Sequence, residues 1–250
     1  MIPIKTPAEL ERMRASNRIA AEVLRALVER VRPGVATAEL DALAAEEMAR
    51  RNARSAFLGY RGFPGHICVS LNEEVVHGIP GPRTIRIGDL VSLDVGVVHE
   101  GFVGDTATTV PVGVSDPRAI RLLAVAEEAL AAAIARARAG ARLTDISHAV
   151  ESVATAAGFG VVRDFVGHGI GRRMHEEPQI PNFGAPGRGP RLAAGMTLAI
   201  EPMLTLGDWK VRVKDDRWTV VTADGLPSVH VEHTVAVGEN GAEILSRPGE

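Results

Sequence analysis

Two aspartates lie on opposite arms of what the residue pattern predicts to be one apolar β-hairpin, GDLVSLDVGVVHEGFVGDTATTVPV. Both arms alternate well enough to be strand, and His99-Glu100-Gly101 is the only break between them. A two-residue loop at His99-Glu100 places Asp94 directly across from Asp105, and a different turn type moves that register by a residue or two. Carboxylates facing each other across a ladder repel, and burying them unpaired costs far more. Something positive must sit between them, and a divalent metal is the most economical candidate.

The composition permits such a site and excludes several others. With 250 residues, 46% hydrophobic and 24% charged, the chain is long enough for one large core or two fused halves. A formal charge of −3 and the absence of a basic stripe give no reason to expect nucleic acid as partner. The single cysteine, Cys68, excludes a disulfide framework and a thiolate metal cage. The start, MIPIKTPAELERMRASN, lacks the apolar core of a signal peptide, and no apolar run approaches a membrane span. The expectation is a cytoplasmic, soluble protein.

The order of elements repeats. Thr6-Pro7-Ala8-Glu9 announces a helix running to about Val31, and Thr37 is expected to cap a second, AELDALAAEEMARRN. A loop-rich stretch follows, with strand-like pieces at 67–71 and 75–77, and then the hairpin. Asp116-Pro117 opens a third helix expected to reach about Ala139, and Thr144-Asp145 caps a fourth. Strand-like segments follow at 161–166, 196–203, 211–213, 218–222 and 229–237. Thr37 and Thr144 lie 107 positions apart, as do Gly88 and Gly195, and each of these glycines stands six residues before an acid, Asp94 or Glu201. Two matched halves, about 1–113 and 114–250, imply one compact pseudo-symmetric domain whose acids converge at the seam, and no separate N-terminal domain is expected.

Glu201 lies in MTLAIEPML, an apolar strand with no obvious reason to hold an acid. Glu232 lies in VHVEHTVAV, where it shares one face with His230 and Thr234 while the valines take the other. His168 sits among glycines in FVGHGIGRRMHEEP, and His175 follows seven residues later. His77, in VVHGIPGP, follows a β-branched pair, whereas His66, His99 and His148 read as ordinary surface or structural residues and His233 as packing with the valine face. Four carboxylates and one imidazole are too many ligands for one tetrahedral structural zinc. Two divalent ions bridged by carboxylates would use them all, with manganese, iron or cobalt the most suitable, and such pairs are a recurring hydrolytic device. No nucleophile elbow, catalytic cysteine context or P-loop competes, and GHGIG lacks the dinucleotide fingerprint.

These residues resemble one known family. FLGYRGFPGHICVSLNEEVVHGIP, LDVGVVHEGFVGDTA, GHGIGRRMHEEP, LAIEPM and VEHTVAV, in this order and spacing, are similar to type I methionine aminopeptidases, M24-type metallopeptidases. The resemblance spans essentially the whole chain. It implies an α+β pita-bread fold, a pseudo-two-fold duplication with an antiparallel curved β-sheet and helices on its outer face. It further implies that Asp94 chelates one metal, Asp105 and Glu232 bridge both, and His168 and Glu201 hold the second. A metal-bound water or hydroxide is the implied nucleophile, with Glu201 as proton shuttle, His175 on the tetrahedral intermediate and His77 beside the substrate backbone. Phe57, Tyr60, Phe63, Cys68, Met174 and Trp218 match pocket or rim positions. Many relatives instead carry cysteine at 57, tyrosine at 63 and phenylalanine at 174. The implied reaction removes the initiator methionine from chains with a small second residue. N-terminal methionyl peptides and nascent chains are the implied partners, with ribosome association a candidate and a monomer the expected state. The rival readings are an aminopeptidase P or prolidase cutting before proline, and a non-catalytic peptide-binding protein of the same fold.

Overall fold

A computed structural model describes residues 2–248. The first part of the chain forms α1 (Pro7–Arg30), α2 (Thr37–Arg50), β1 (Arg54–Ser55), β2 (Cys68–Leu71), β3 (Glu74–Val76), β4 (Leu90–His99) and β5 (Phe102–Pro111). The second part forms α3 (Pro117–Ile134), α4 (Leu143–Ala156), β6 (Gly160–Val161), β7 (Gly167–Gly169), β8 (Glu176–Ile180) and β9 (Thr197–Ile200). After these come β10 (Met203–Thr205), β11 (Val211–Val213), β12 (Val220–Thr222), β13 (Ser228–His230), β14 (Glu232–Val237) and β15 (Ala242–Ile244).

One antiparallel sheet carries the architecture, in the order β1-β4-β5-β14-β9-β7-β8, with β2 also on β4 and β15 also on β14. Strand alternation decides which residues go where. Val91, Leu93, Val95 and Val97 of β4 join Val23 and Leu27 of α1 and Leu40 and Met48 of α2 in one apolar cluster. Asp94, between Leu93 and Val95, therefore points to the opposite face. A second cluster joins Leu122, Val125 and Ala129 of α3 and Ile146 and Val150 of α4 to Leu198, Ile200, Val235 and Val237. The β5–β14 pairing stitches the two regions into one sheet. No helix among the described residues is long and apolar enough to cross a membrane.

Several expectations are corrected in detail. The hairpin loop is Glu100-Gly101, not His99-Glu100, because both residues take positive φ, 47° and 79°, and glycine accepts this at the second position of a tight turn. Asp94 accordingly pairs with Ala107, and Asp105 with Gly96. The two-residue shift preserves the face, so the aspartates are diagonal neighbours and not a directly opposed pair.

Thr6 caps α1 in a reciprocal box with Glu9 as expected, but α2 starts at Thr37 and not after it. The Glu39 carboxylate accepts from the Ala36 amide, while the Thr37 hydroxyl exchanges hydrogen bonds with Gly81. Similarly, Asp145 rather than Thr144 caps α4, by accepting from the Arg142 amide. Helix α3 ends at Ile134, short of Ala139, because the Ala139 and Gly140 amides donate to Gly238 and Leu192 outside the helix. The long strands expected at 196–203 and 229–237 each break, at Glu201-Pro202 and at Val231. Proline removes the ladder donor at the first break, and the Val231 amide turns to the Pro202 carbonyl at the second. The strand expected at 161–166 shrinks to Gly160–Val161, and β7 and β8 appear where glycines and charged residues hid any alternation.

Candidate metal centre

Three strands deliver the acids to one face. Asp94 of β4 pairs with Ala107 of β5, and Ala107 pairs in turn with Glu232 of β14. Asp105 stands two residues before Ala107, so it joins the same face. One carboxylate oxygen from each of Asp94, Asp105 and Glu232 lies within 4.8 Å of the others. Glu201 enters from the end of β9, where Pro202 stops the strand, and His168 of β7 pairs with Ala199 beside it. The His168 Nε2 atom is 3.5 Å from Glu201 Oε1 and 3.8 Å from Asp105 Oδ2.

Local backbone choices hold these groups in place. The Asp105 amide donates to the Asn17 side chain of α1, whose own amide group donates to Met13 O. Thr234 and Thr106 donate to the Asp105 and Glu232 carbonyls, tying β5 to β14 on either side of the acids. Gly169 admits no side chain, since a Cβ there would lie 2.1 Å from the Glu177 carbonyl oxygen, and this close approach seats β7 between its neighbours. The His168 Nδ1–H donates to the Gly169 carbonyl at 3.0 Å, which fixes the tautomer and leaves Nε2 as a free acceptor facing the acids.

With its carboxylates ionised, this cluster is costly without a cation. At about 5 Å and an effective dielectric near 20, each pair of like charges costs about 3 kcal/mol. Three such pairs approach the whole net stability of a domain. Among the described residues no lysine or arginine pairs with Asp94, Asp105, Glu201 or Glu232; only histidines come near. Asp94 Oδ1, Asp105 Oδ1 and Glu232 Oε1 are buried with no hydrogen-bond partner. Burial pushes the Asp94 carboxyl up to about 7. Burial first, then repulsion by neighbouring acids, pushes Asp105, Glu201 and Glu232 well above the usual carboxylate range. Burial depresses His168 to about 3, so its imidazole is neutral and able to ligate. Orphaned hard oxygens with one neutral imidazole match the donor set of divalent first-row ions, and the residues fit a divalent-metal site.

Above the acids opens a cavity of about 360 Å³, and all thirteen sequence-predicted site residues line it. Phe63 and Trp218 meet edge to face at 5.1 Å, and His77 stands edge-on to Trp218 at 6.2 Å and to Phe165 at 5.5 Å. His77 adopts a left-handed φ of 60°, a strained conformation for a non-glycine residue, where β3 ends and the chain turns toward the cavity. Its burial lowers the imidazole to about 4. The Tyr60 hydroxyl lies 2.8 Å from His175 Nδ1, and the His175 ring is 4.4 Å from that of His168. Phe57 fills the space over Gly96, where any Cβ would meet its ring at 2.4 Å. Cys68 pairs with Asp94 across the β2–β4 ladder, and burial raises its thiol well above the ordinary value.

Other wall residues carried no separate sequence signal, among them Arg61, Val76, Phe165, Gln179 and Met203. His230 is different. It alternates with Glu232 in the sequence, yet that spacing alone assigns it no role. The structure buries it, 2% exposed, with Nε2 3.7 Å from Glu201 Oε2. Burial and the proximity of His77 lower it to about 3. His66 and His233 bond Asp41 and Ser246 respectively, away from the cavity wall. His99 and His148 make only surface contacts, with Asn52 and Ser152.

Comparison with known proteins agrees with this geometry. Residues 11–239 match the model of metallopeptidase family M24. The methionine aminopeptidase of Clostridium perfringens is 49% identical over 246 residues, covering 98% of this chain and 99% of that protein. The crystal structure of the methionine aminopeptidase from Thermotoga maritima superposes with a TM-score of 0.97 at 47% identity, covering 99% of this chain and all of that one. The prolidase of Pyrococcus furiosus shares the fold, with a TM-score of 0.81 at 24% identity, but this chain covers only 66% of it. The curved antiparallel sheet with helices behind it is the pita-bread fold of these neighbours. From its acid cluster to its full-length relatives, the chain belongs to metallopeptidase family M24, within which it groups with the methionine aminopeptidases.

Proposed function

We propose that the cavity is the active site of a metal-dependent aminopeptidase that removes N-terminal methionine from peptides and nascent chains with a small second residue. The observation that carries this reading is the convergence of four acids, two buried and two half-buried, without a fixed cation, at the base of a cavity with apolar and aromatic walls above them. Near-full-length relatives named methionine aminopeptidase support it. In this reading Asp94 would hold one divalent ion, His168 and Glu201 a second, and Asp105 and Glu232 would contribute to both. Manganese, iron or cobalt suits these donors. When bound, the ions polarise the scissile carbonyl and lower the pKa of water.

The chain's own groups do the rest. The methionine side chain enters the pocket built by Phe57, Tyr60, Phe63, Cys68, Met174 and Trp218, whose apolar walls suit an unbranched thioether. His77 lies beside the substrate backbone. Glu201 accepts the proton of the attacking water at a carboxylate oxygen and returns it to the departing amine. His175 donates from Nε2 to the oxygen that becomes negative in the tetrahedral intermediate. A hydrogen bond donated by the Tyr60 hydroxyl to an unprotonated His175 Nδ1 keeps the ring proton on Nε2, where this donation needs it. We read the chain as one catalytic domain of two matched halves, about 1–113 and 114–250. It acts as a monomer in the cytoplasm, with ribosome association a further part of the proposal. Cleavage before proline is the weaker reading, because the prolidase likeness extends to the fold alone.

Chelator-stripped protein is expected to lose cleavage of Met-Gly-x peptides and regain it with Mn²⁺, Fe²⁺ or Co²⁺, while cleaving Met-Leu-x poorly and x-Pro peptides not at all. Undiminished activity without metal overturns the mechanism, and preference for x-Pro peptides overturns the substrate assignment.

His175→Ala should lower kcat by roughly 10²–10³-fold, the usual cost of one donor to a developing oxyanion, with metal stoichiometry unchanged. Loss of an ion from this variant would make His175 a ligand instead.

The raised acids also predict a pH signature. Above about pH 7 the buried histidines, lowered in the fold, are mostly neutral in the unfolded chain as well, so the rising slope they add is small beside the falling slope of the acids. The acids ionise near pH 4 when unfolded, whereas in the folded chain Asp94 is pushed up to about 7 and Asp105, Glu201 and Glu232 well above the usual carboxylate range, so the folded state binds more protons and loses stability as pH rises. The Tm of stripped protein should therefore fall from about pH 7 to about pH 9, and saturating Mn²⁺ should remove that slope. A flat or rising Tm in the stripped protein contradicts the electrostatic account.

A further inference from the structure

Glu201 stands between two imidazoles. His168 Nε2 is 3.5 Å from its Oε1, and His230 Nε2 is 3.7 Å from its Oε2. His168 lines the cavity, but His230 lies outside the lining, behind the glutamate, and cannot touch a bound peptide. Its Nε2 is fully buried and has no hydrogen-bond partner. A buried polar nitrogen without a partner is costly, and among the described residues the only acidic oxygen within ion-pair reach of it is Glu201 Oε2. The backbone of His230 is rigidly held. Its amide donates to Thr109 Oγ1 at 3.0 Å, and Thr109 Oγ1 donates back to its carbonyl at 2.9 Å. Thr109 also bonds Ser92, so His230 is anchored to the same hairpin that carries Asp94 and Asp105.

We propose that His230 is a positioning residue: its Nε2–H holds Glu201 Oε2 by hydrogen bond, leaving Oε1 directed at the metal site beside His168. The gap exceeds a normal N–H···O bond by about 0.7 Å, which a small rotation of the carboxylate closes. An outer partner of this kind orients a ligand whose own side chain is otherwise free to turn. This inference rests on the reading of Glu201 as a metal ligand.

Calorimetric titration of chelator-stripped protein with Mn²⁺ tests it in the wild type, His230→Phe and His230→Gln. Phenylalanine fills the space without a donor, and glutamine keeps an N–H donor at a similar reach. The expected result is affinity weakened roughly 10–100-fold in His230→Phe and within roughly threefold of wild type in His230→Gln. Wild-type affinity in His230→Phe, or equal weakening in both variants, overturns the proposal in favour of packing alone. Loss of one whole ion equivalent from both variants overturns it in favour of direct ligation. Failure of the wild type itself to bind Mn²⁺ defeats the metal reading, a result separable from any difference between variants.

Discussion

Mutual repulsion among four buried and half-buried carboxylates is the constraint on which the rest of the structure depends. Asp94, Asp105, Glu201 and Glu232 bring no lysine or arginine with them, and three of their oxygens have no hydrogen-bond partner. A chain without a use for such a cluster would replace it with apolar side chains at a gain in stability. Here the surrounding framework instead resists relaxation. Asn17 grips the Asp105 amide from α1, and threonines 106 and 234 lock β5 to β14 at the acids themselves. The apolar clusters behind the sheet stabilise the frame, and the frame holds the charges together until a cation relieves them.

The same frame separates the tasks of binding metal and choosing substrate. The acids come from adjacent strands of one sheet, whereas the cavity walls come mostly from loops: the 57–63 segment, His77 after β3, residues 164–166, and Trp218. Strands hold ligand atoms to tight tolerances, and loops can vary in side-chain size without disturbing them. Phe57, Phe63 and Met174 all sit in the wall and none among the acids. A change in pocket shape is therefore available to this chain at no cost to its metal chemistry.

Much of this was legible in the residues, and what escaped has physical causes. Alternation in 90–111 placed Asp94 and Asp105 on one face, because the period of two survives any even shift in register. It could not place them directly opposite each other, because the turn depends on which residues tolerate positive φ, and Gly101 moved the loop by one position. The acids in MTLAIEPML and VHVEHTVAV stood out because apolar strands rarely hold a carboxylate without a reason. Strands β7 and β8 were invisible, since glycines chosen for close backbone approach leave no hydrophobic pattern. His230 escaped for a different reason: its importance lies in a contact with Glu201, 29 positions away, that arises only when β10 and β13 pair.

The central claim is that this carboxylate cluster exists to hold divalent metal. Anomalous diffraction at the manganese edge, from crystals of Mn²⁺-loaded protein, tests it most directly. The account predicts two peaks inside the cluster, one against Asp94 and one against His168 and Glu201, with Asp105 and Glu232 reaching both. A cluster without anomalous density, in crystals that carry manganese elsewhere, would contradict it.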